Sequence, residues 1–219
     1  MKKISALLLS LVMAVLALSA CGQDKTAQDS KTDSGSASSE KTLTMATNAE
    51  FKPFEYLEGE KIVGADVDLA EAIAKELGCK LEITNIDFDA ALTGAATGKY
   101  DVAIAGITAN EDRKKNMAFS NDYYKASQAI IVAEGSDIKS AKDLEGKTVS
   151  CQEGTTGEQY LLDNEYKVQS FKTGSEAVSA LTSGKVDAVV IDNAVATALS
   201  AEQNGKTVVL DEALTEETY

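Results

Sequence analysis

Two residues of opposite charge carry the most chemistry in this chain, Arg113 and Asp192. Arg113 ends the stretch Gly106-Ile107-Thr108-Ala109-Asn110-Glu111-Asp112-Arg113, and Asp192 closes the apolar run 186–191. An arginine is a planar fork that meets a carboxylate through two parallel hydrogen bonds. An aspartate is a counter-ion for an ammonium. A third stretch, Gln152-Glu153-Gly154-Thr155-Thr156-Gly157, can bring backbone amides close to an anion. A carboxylate receptor beside an ammonium receptor suggests a zwitterion. Each feature also has a plainer reading. Arg113 runs into Lys114 and Lys115 and could pair in solvent; Asp192 could cap the next helix; the glycines could be an ordinary turn. Arg113 is the most telling, because a cation in the first turn of a helix capped by Asn110 opposes the helix dipole.

The rest of the composition narrows the chemistry. There is no histidine, and beyond Cys21 only Cys79 and Cys151 remain. A zinc site, a Ser-His-Asp triad and a Cys-His pair are therefore excluded or unsupported. Neither GxxxxGK[ST] nor GxGxxG occurs, so no nucleotide loop is expected, and no cofactor or metal. The formal charge of −14 argues against nucleic acid and against direct adhesion to anionic lipid.

The elements that must position these residues begin well inside the chain. Residues 1–20 combine a basic start, an apolar middle and small residues at the end, the pattern of a secretory signal. Residues 21–41 are rich in Ser, Thr, Asp, Lys and Gln and have almost nothing to bury, so a disordered tether is expected there. From residue 42 strands alternate with helices. Strands are expected at 43–47, 80–85, 101–105, 128–133, 147–151, 167–171 and 186–191. Helices are expected at 66–77, up to about 97, at 157–164, 174–183 and 193–204, with Asp66 as a cap of the first and a hairpin over 54–63. Several strands are continuous apolar runs, as when both faces are covered, so the class is α/β with mainly parallel sheets. One sentence of sequence is written twice: TGKYDVAIAG at 97–106 and SGKVDAVVID at 183–192. In each copy a helix ends at glycine and the chain re-enters a sheet. Ligands of open α/β sheets bind outside the carboxyl ends of strands, and that is where Arg113, Gly154–Gly157 and Asp192 fall.

The stretch Gly64-Ala65-Asp66-Val67-Asp68-Leu69-Ala70-Glu71-Ala72-Ile73-Ala74 completes the pattern. With FKPFE at 51–55, Glu111–Arg113, Phe119-Ser120 and Gly154-Thr155-Thr156, it resembles the bacterial extracellular solute-binding proteins of family 3, which serve ABC importers of polar amino acids. Leu18-Ser19-Ala20-Cys21 likewise resembles the lipobox of bacterial lipoproteins, which implies lipidation at Cys21 and anchoring at the outer face of the cell membrane, or in the periplasm. The family resemblance implies a two-lobed, type II periplasmic-binding-protein-like fold with a ligand cleft between lobes closed by a hinge. Lobe 1 would be 42–128 and lobe 2 129–219, with a first crossover near 125–129. The duplicated segments would each build one lobe. By position, Arg113 would clamp the ligand carboxylate, helped by the Thr108 hydroxyl and the Thr156 amide. Asp192 would receive the ammonium with the Gly106 carbonyl. Asn48 would lie near the ligand side chain and Phe51 would stack on it.

The chain departs from the family pattern at two places. Ala65 stands where an aromatic is usual, which removes half of an aromatic sandwich and makes room for a bulkier side chain. The family's return of the chain into lobe 1 is expected to be missing after residue 219. Glu50, Gln152 and Glu153 could line the pocket and favour a cationic ligand. The expected partners are a free L-amino acid, polar with a lean to cationic, and an ABC transporter permease, with the protein a monomer that is not itself an enzyme. The alternative is a dehydratase on the same fold acting on a prephenate-like substrate, with Glu50 or Glu153 as acid or base. A sensory ligand domain is a third reading, disfavoured by the expected lipid anchor.

Overall fold

The computed structural model describes residues 41–219. The expected secretory signal at 1–20, the expected lipidation site Cys21 and the expected tether as far as residue 40 lie outside the described residues. The first half of the body runs β1 (Thr42–Thr47), β2 (Glu50–Phe51), β3 (Glu55–Glu58), β4 (Lys61–Val63), α1 (Ala65–Leu77), β5 (Lys80–Asn85), α2 (Phe88–Ala96), β6 (Val102–Ala103) and α3 (Glu111–Lys114). After a short strand β7 (Lys125–Ala126), the second half runs β8 (Gln128–Ala133), β9 (Thr148–Gln152), α4 (Thr156–Asp163), β10 (Lys167–Phe171), α5 (Gly174–Thr182), β11 (Ala188–Asp192), α6 (Asn193–Ala201), β12 (Thr207–Val209) and β13 (Glu217–Thr218).

The two halves repeat one plan. β1-α1-β5-α2-β6 gives a parallel sheet of order β5-β1-β6, and β9-α4-β10-α5-β11 gives the parallel order β10-β9-β11. The second sheet is extended by β8 and β12, both antiparallel to their neighbours, so it is mixed. An apolar run such as AIIVA is compatible with either direction, which is why its sequence does not reveal the reversal.

The written repeat is also a mechanical one. Gly98 and Gly184 both take φ of +71° and end α2 and α5. The next residue closes each turn, with the Lys99 N–H donating to Gly94 O and the Lys185 N–H to Ala180 O, both at 2.9 Å. The aspartate two residues further on then binds the central strand. Asp101 accepts from the Thr44 N–H and Asp187 from the Thr148 N–H, both at 2.8 Å. Each Gly-Lys-x-Asp segment thus fixes where its last strand docks on the middle one.

The second sheet is the better buried. α5 and α6 cover one face through Val178, Leu181, Val195 and Leu199 against Ile131, Val189 and Ile191. The other face buries Leu144 and Leu161 against Ile130, Val149 and Val190. The first sheet has smaller clusters, one of Met45, Ala70 and Ile104 and one of Phe88, Ala105 and Ile107. The apolar stripe expected on α1 is only partly covered: Ala70 and Ala74 are buried, while Ile73 and Leu77 are exposed. Asp66 does not cap α1. Gly64 stands at the N-cap, and the Asp66 carboxylate turns inward to accept the Gly106 N–H at 2.8 Å. Cys79 and Cys151 are both free, and burial pushes the Cys151 thiol up to about 11.

Candidate functional site

The strand ends of both sheets meet at one small pocket. It is lined by Phe51, Phe88, Gly106, Thr108 and Arg113 from the first half. From the second come Gln128, Gln152, Thr155, Thr156, Ile191, Asp192 and Tyr219. Six of the eight binding residues expected from sequence are on this wall: Phe51, Gly106, Thr108, Arg113, Thr156 and Asp192. The two others are not. Asn48 is buried below it, its Nδ2 donating to Ile86 O at 3.0 Å and its Oδ1 accepting from Gln152 Nε2 at 2.9 Å. It meets the pocket only through Gln152. Ala65 is exposed at the start of α1, held by its own N–H on Pro53 O.

Arg113 is placed by the chain around it. Asn110 caps α3 by accepting the Arg113 N–H at 2.9 Å. The guanidinium then folds back, with Nη1 donating to Thr108 O and Nη2 to Gly154 O, each at 3.0 Å. It lies 5.5 Å from the Phe88 ring centre, a cation–π distance. Burial lowers its pKa and the Glu217 charge opposes that; an arginine stays protonated regardless.

Asp192 takes the capping role. It caps α6, with Oδ1 accepting from the Ala194 N–H at 3.1 Å, and its Oδ2 accepts from the Tyr219 hydroxyl. Burial pushes its carboxyl up to about 6. Gly106 has φ of +55°, and a Cβ there would come within 2.6 Å of the Phe51 ring, so glycine is required both for conformation and for space. Thr155 caps α4 by accepting the Glu158 N–H at 3.2 Å, which sets Thr156 at the helix start.

Two residues that sequence reasoning missed come from the end strand. Glu217 Oε2 accepts from the Thr108 hydroxyl at 2.6 Å and from the Thr156 hydroxyl at 2.7 Å. Tyr219 is buried and stacks on Tyr124 with centroids 5.8 Å apart. β13 pairs antiparallel with β7, and this ladder carries Tyr219 to the pocket wall and Glu217 against the wall's Thr108 and Thr156 hydroxyls. Nothing in the polar stretch 215–219 signals this; its partner strand lies some ninety residues back. Gln128, whose Nε2 donates to the Thr156 hydroxyl at 3.2 Å, was likewise hidden inside an apolar strand.

The remaining acids lie elsewhere. Glu153 pairs with Lys172 at 2.6 Å, and Glu50 faces Ser175 at 3.4 Å; neither is among the pocket-lining residues. Among the described residues no three Cys, Asp or Glu side chains are arranged to hold a metal, and no helix is long and apolar enough to cross a membrane.

Residues 43–159 match the sequence pattern of the bacterial extracellular solute-binding proteins, family 3. The arginine-binding extracellular protein ArtP of Bacillus subtilis is 38% identical over 194 residues, spanning 87% of this chain and 73% of that protein. Holo ArgBP from T. maritima superposes with a TM-score of 0.77 at 41% identity, covering 81% of this chain and 80% of the other. An ancestral arginine-binding protein bound to glutamine gives 0.77 at 46%, with 81% of each chain covered. The fold is therefore the two-lobed type II periplasmic-binding architecture, and this chain belongs to the bacterial extracellular solute-binding proteins, family 3.

Proposed function

We propose that the protein captures a free L-amino acid outside the cell membrane and hands it to the permease of an ABC importer, performing no reaction on it. The observation that carries this reading is one pocket whose wall holds both Arg113, from α3 after the first sheet, and Asp192, from the end of β11 in the second. The guanidinium fork takes the α-carboxylate and the aspartate, with the Gly106 carbonyl, takes the α-ammonium. A zwitterion touching both lobes favours the closed arrangement, and closure is the signal to the permease. Lobe 1 is 42–128 and lobe 2 is 129–219, with β7 and β13 as the crossovers. The protein works as a monomer, tethered by lipid on Cys21.

The ligand side chain is polar with a lean to cationic. Among the described residues Arg113 is the only cation on the pocket wall, which also carries Asp192 and the Gln152 amide, while Phe51 and Phe88 supply flat apolar faces. Relatives named for arginine binding, one of them bound to glutamine, fit that range. A thermal-shift panel of the L-amino acids tests this. A ligand at about 1,000 times its Kd stabilises by about 4 kcal/mol, which is roughly ten degrees for a chain of this size. Arginine, lysine, histidine or glutamine should produce that shift; a flat panel with cooperative melting would remove the zwitterion site.

A further inference from the structure

Both ends of the pocket are already satisfied from within the chain. At the carboxylate end, Glu217 Oε2 takes the hydroxyl protons of Thr108 and Thr156, and Oε1 takes that of Thr215 at 2.6 Å. A hydroxyl has one proton to give. While Thr108 and Thr156 donate to Glu217, neither donates to a ligand carboxylate. At the ammonium end, the Tyr219 hydroxyl donates to Asp192. Glu217 and Tyr219 are two residues apart on one strand edge. They present an anion to the hydroxyl pair and a donor to the acid, which are the two polar functions of an amino acid.

We propose that Glu217 and Tyr219 are affinity-setting residues that imitate the ligand's polar groups, so that an incoming amino acid must displace them. This rests on the amino-acid reading of the pocket. The geometry is specific. The hydroxyls of Thr108, in the loop after β6, and Thr156, at the start of α4, come from different halves and converge on one carboxylate oxygen, so Glu217 ties the two halves together as a ligand carboxylate would. The Tyr219 ring packs edge-on to Phe54, centroids 5.4 Å apart, and near Phe51, so its swing also changes the wall on which a ligand side chain rests. Competition of this kind weakens binding, and it moves the ligand toward whichever groups Glu217 leaves free, Arg113 first.

The test is calorimetric titration of the full chain, Glu217→Gln and Tyr219→Phe with L-arginine and with L-arginine methyl ester. Both substitutions keep shape; the first removes the charge and the second the donor. Each should tighten L-arginine by roughly three- to tenfold, the worth of one ordinary to charge-assisted hydrogen bond. The gain from Glu217→Gln should vanish with the methyl ester, which brings no charged carboxylate to the threonine pair. A purely structural role for Glu217 would lower Tm without that ligand dependence. If the unmodified chain binds and the variants bind equally or more weakly, the proposal falls and the amino-acid reading stands. If neither the unmodified chain nor any variant binds an amino acid, both fall. Binding by Glu217→Gln alone would support the proposal outright.

Discussion

Arg113 Nη2 donates to the backbone carbonyl of Gly154 at 3.0 Å, joining α3, which follows the first sheet, to the turn after β9 in the second. The same guanidinium holds Thr108 O with Nη1. A carboxylate ligand offers it a charged, bidentate partner in place of neutral carbonyls, and charge-assisted pairs are roughly twice as strong. Arg113→Ala should weaken amino-acid binding by about 3 kcal/mol, roughly a hundredfold. Arg113→Lys keeps the charge but not the fork, and should recover only part of the loss. Titration of both variants checks this, and a lysine variant that binds as tightly as the parent would show that charge alone matters.

An ammonium-binding role for Asp192 predicts that binding depends on pH. Burial raises its carboxyl to about 6, with the Tyr219 hydroxyl and the Ala194 N–H pulling the other way. An ammonium needs the ionised form. Affinity should be level above about pH 6 and fall below it, by up to about tenfold per unit. In the free protein the sign is opposite. A raised carboxyl contributes its stability fully below the ordinary aspartate value and loses it as pH rises through about 6. The ligand-induced rise in Tm should therefore grow from about pH 5 to pH 7. In Asp192→Asn it should be small at both.

Much of this arrangement is legible in the sequence. The strand-helix alternation, the Gly-Lys-x-Asp duplication and the positions of Arg113, Thr156 and Asp192 at strand exits are local, and local signals are what a sequence carries. What is not legible is long-range. Asp66 has the spacing of a helix cap and is instead a buried acceptor for Gly106, forty residues away. Glu217 and Tyr219 reach the pocket only because a two-residue strand pairs with Lys125–Ala126. Gln152 reads as loop polarity, and its burial against Asn48 follows from the contact between halves.

Glu55 gives a second pH signature, in stability. It is wholly buried, and its carboxyl oxygens have no hydrogen-bond partner other than the Asp66 carboxylate beside it. Burial first, and the Asp66 charge beside it second, hold its carboxyl well above the usual range. A group raised in the folded state contributes stability at low pH and loses it as pH climbs toward the folded value. Melting of the parent should fall as pH rises above the ordinary glutamate range. Glu55→Gln should reduce that slope and leave the share that Asp192 contributes, the gap between the two proteins widening by up to about 1.4 kcal/mol per pH unit. Parallel curves for the two proteins would mean that Glu55 ionises without cost.

Gly106 is where conformation, space and recognition coincide. Its N–H is fixed by Asp66, which also accepts from the Tyr123 hydroxyl at 3.1 Å. Gly106→Ala would place a methyl in a left-handed residue, costing about 1–2 kcal/mol, and would drive the Phe51 ring off its seat. Gly184 is a clean control. It has φ of +71° and open space around a built Cβ, so Gly184→Ala carries the same kind of strain without the clash. Denaturant melts should show both variants destabilised, and titration should show binding lost by tenfold or more only in Gly106→Ala. Equal affinities in the two variants would mean that the Phe51 ring and the Gly106 carbonyl take no part in holding the ligand.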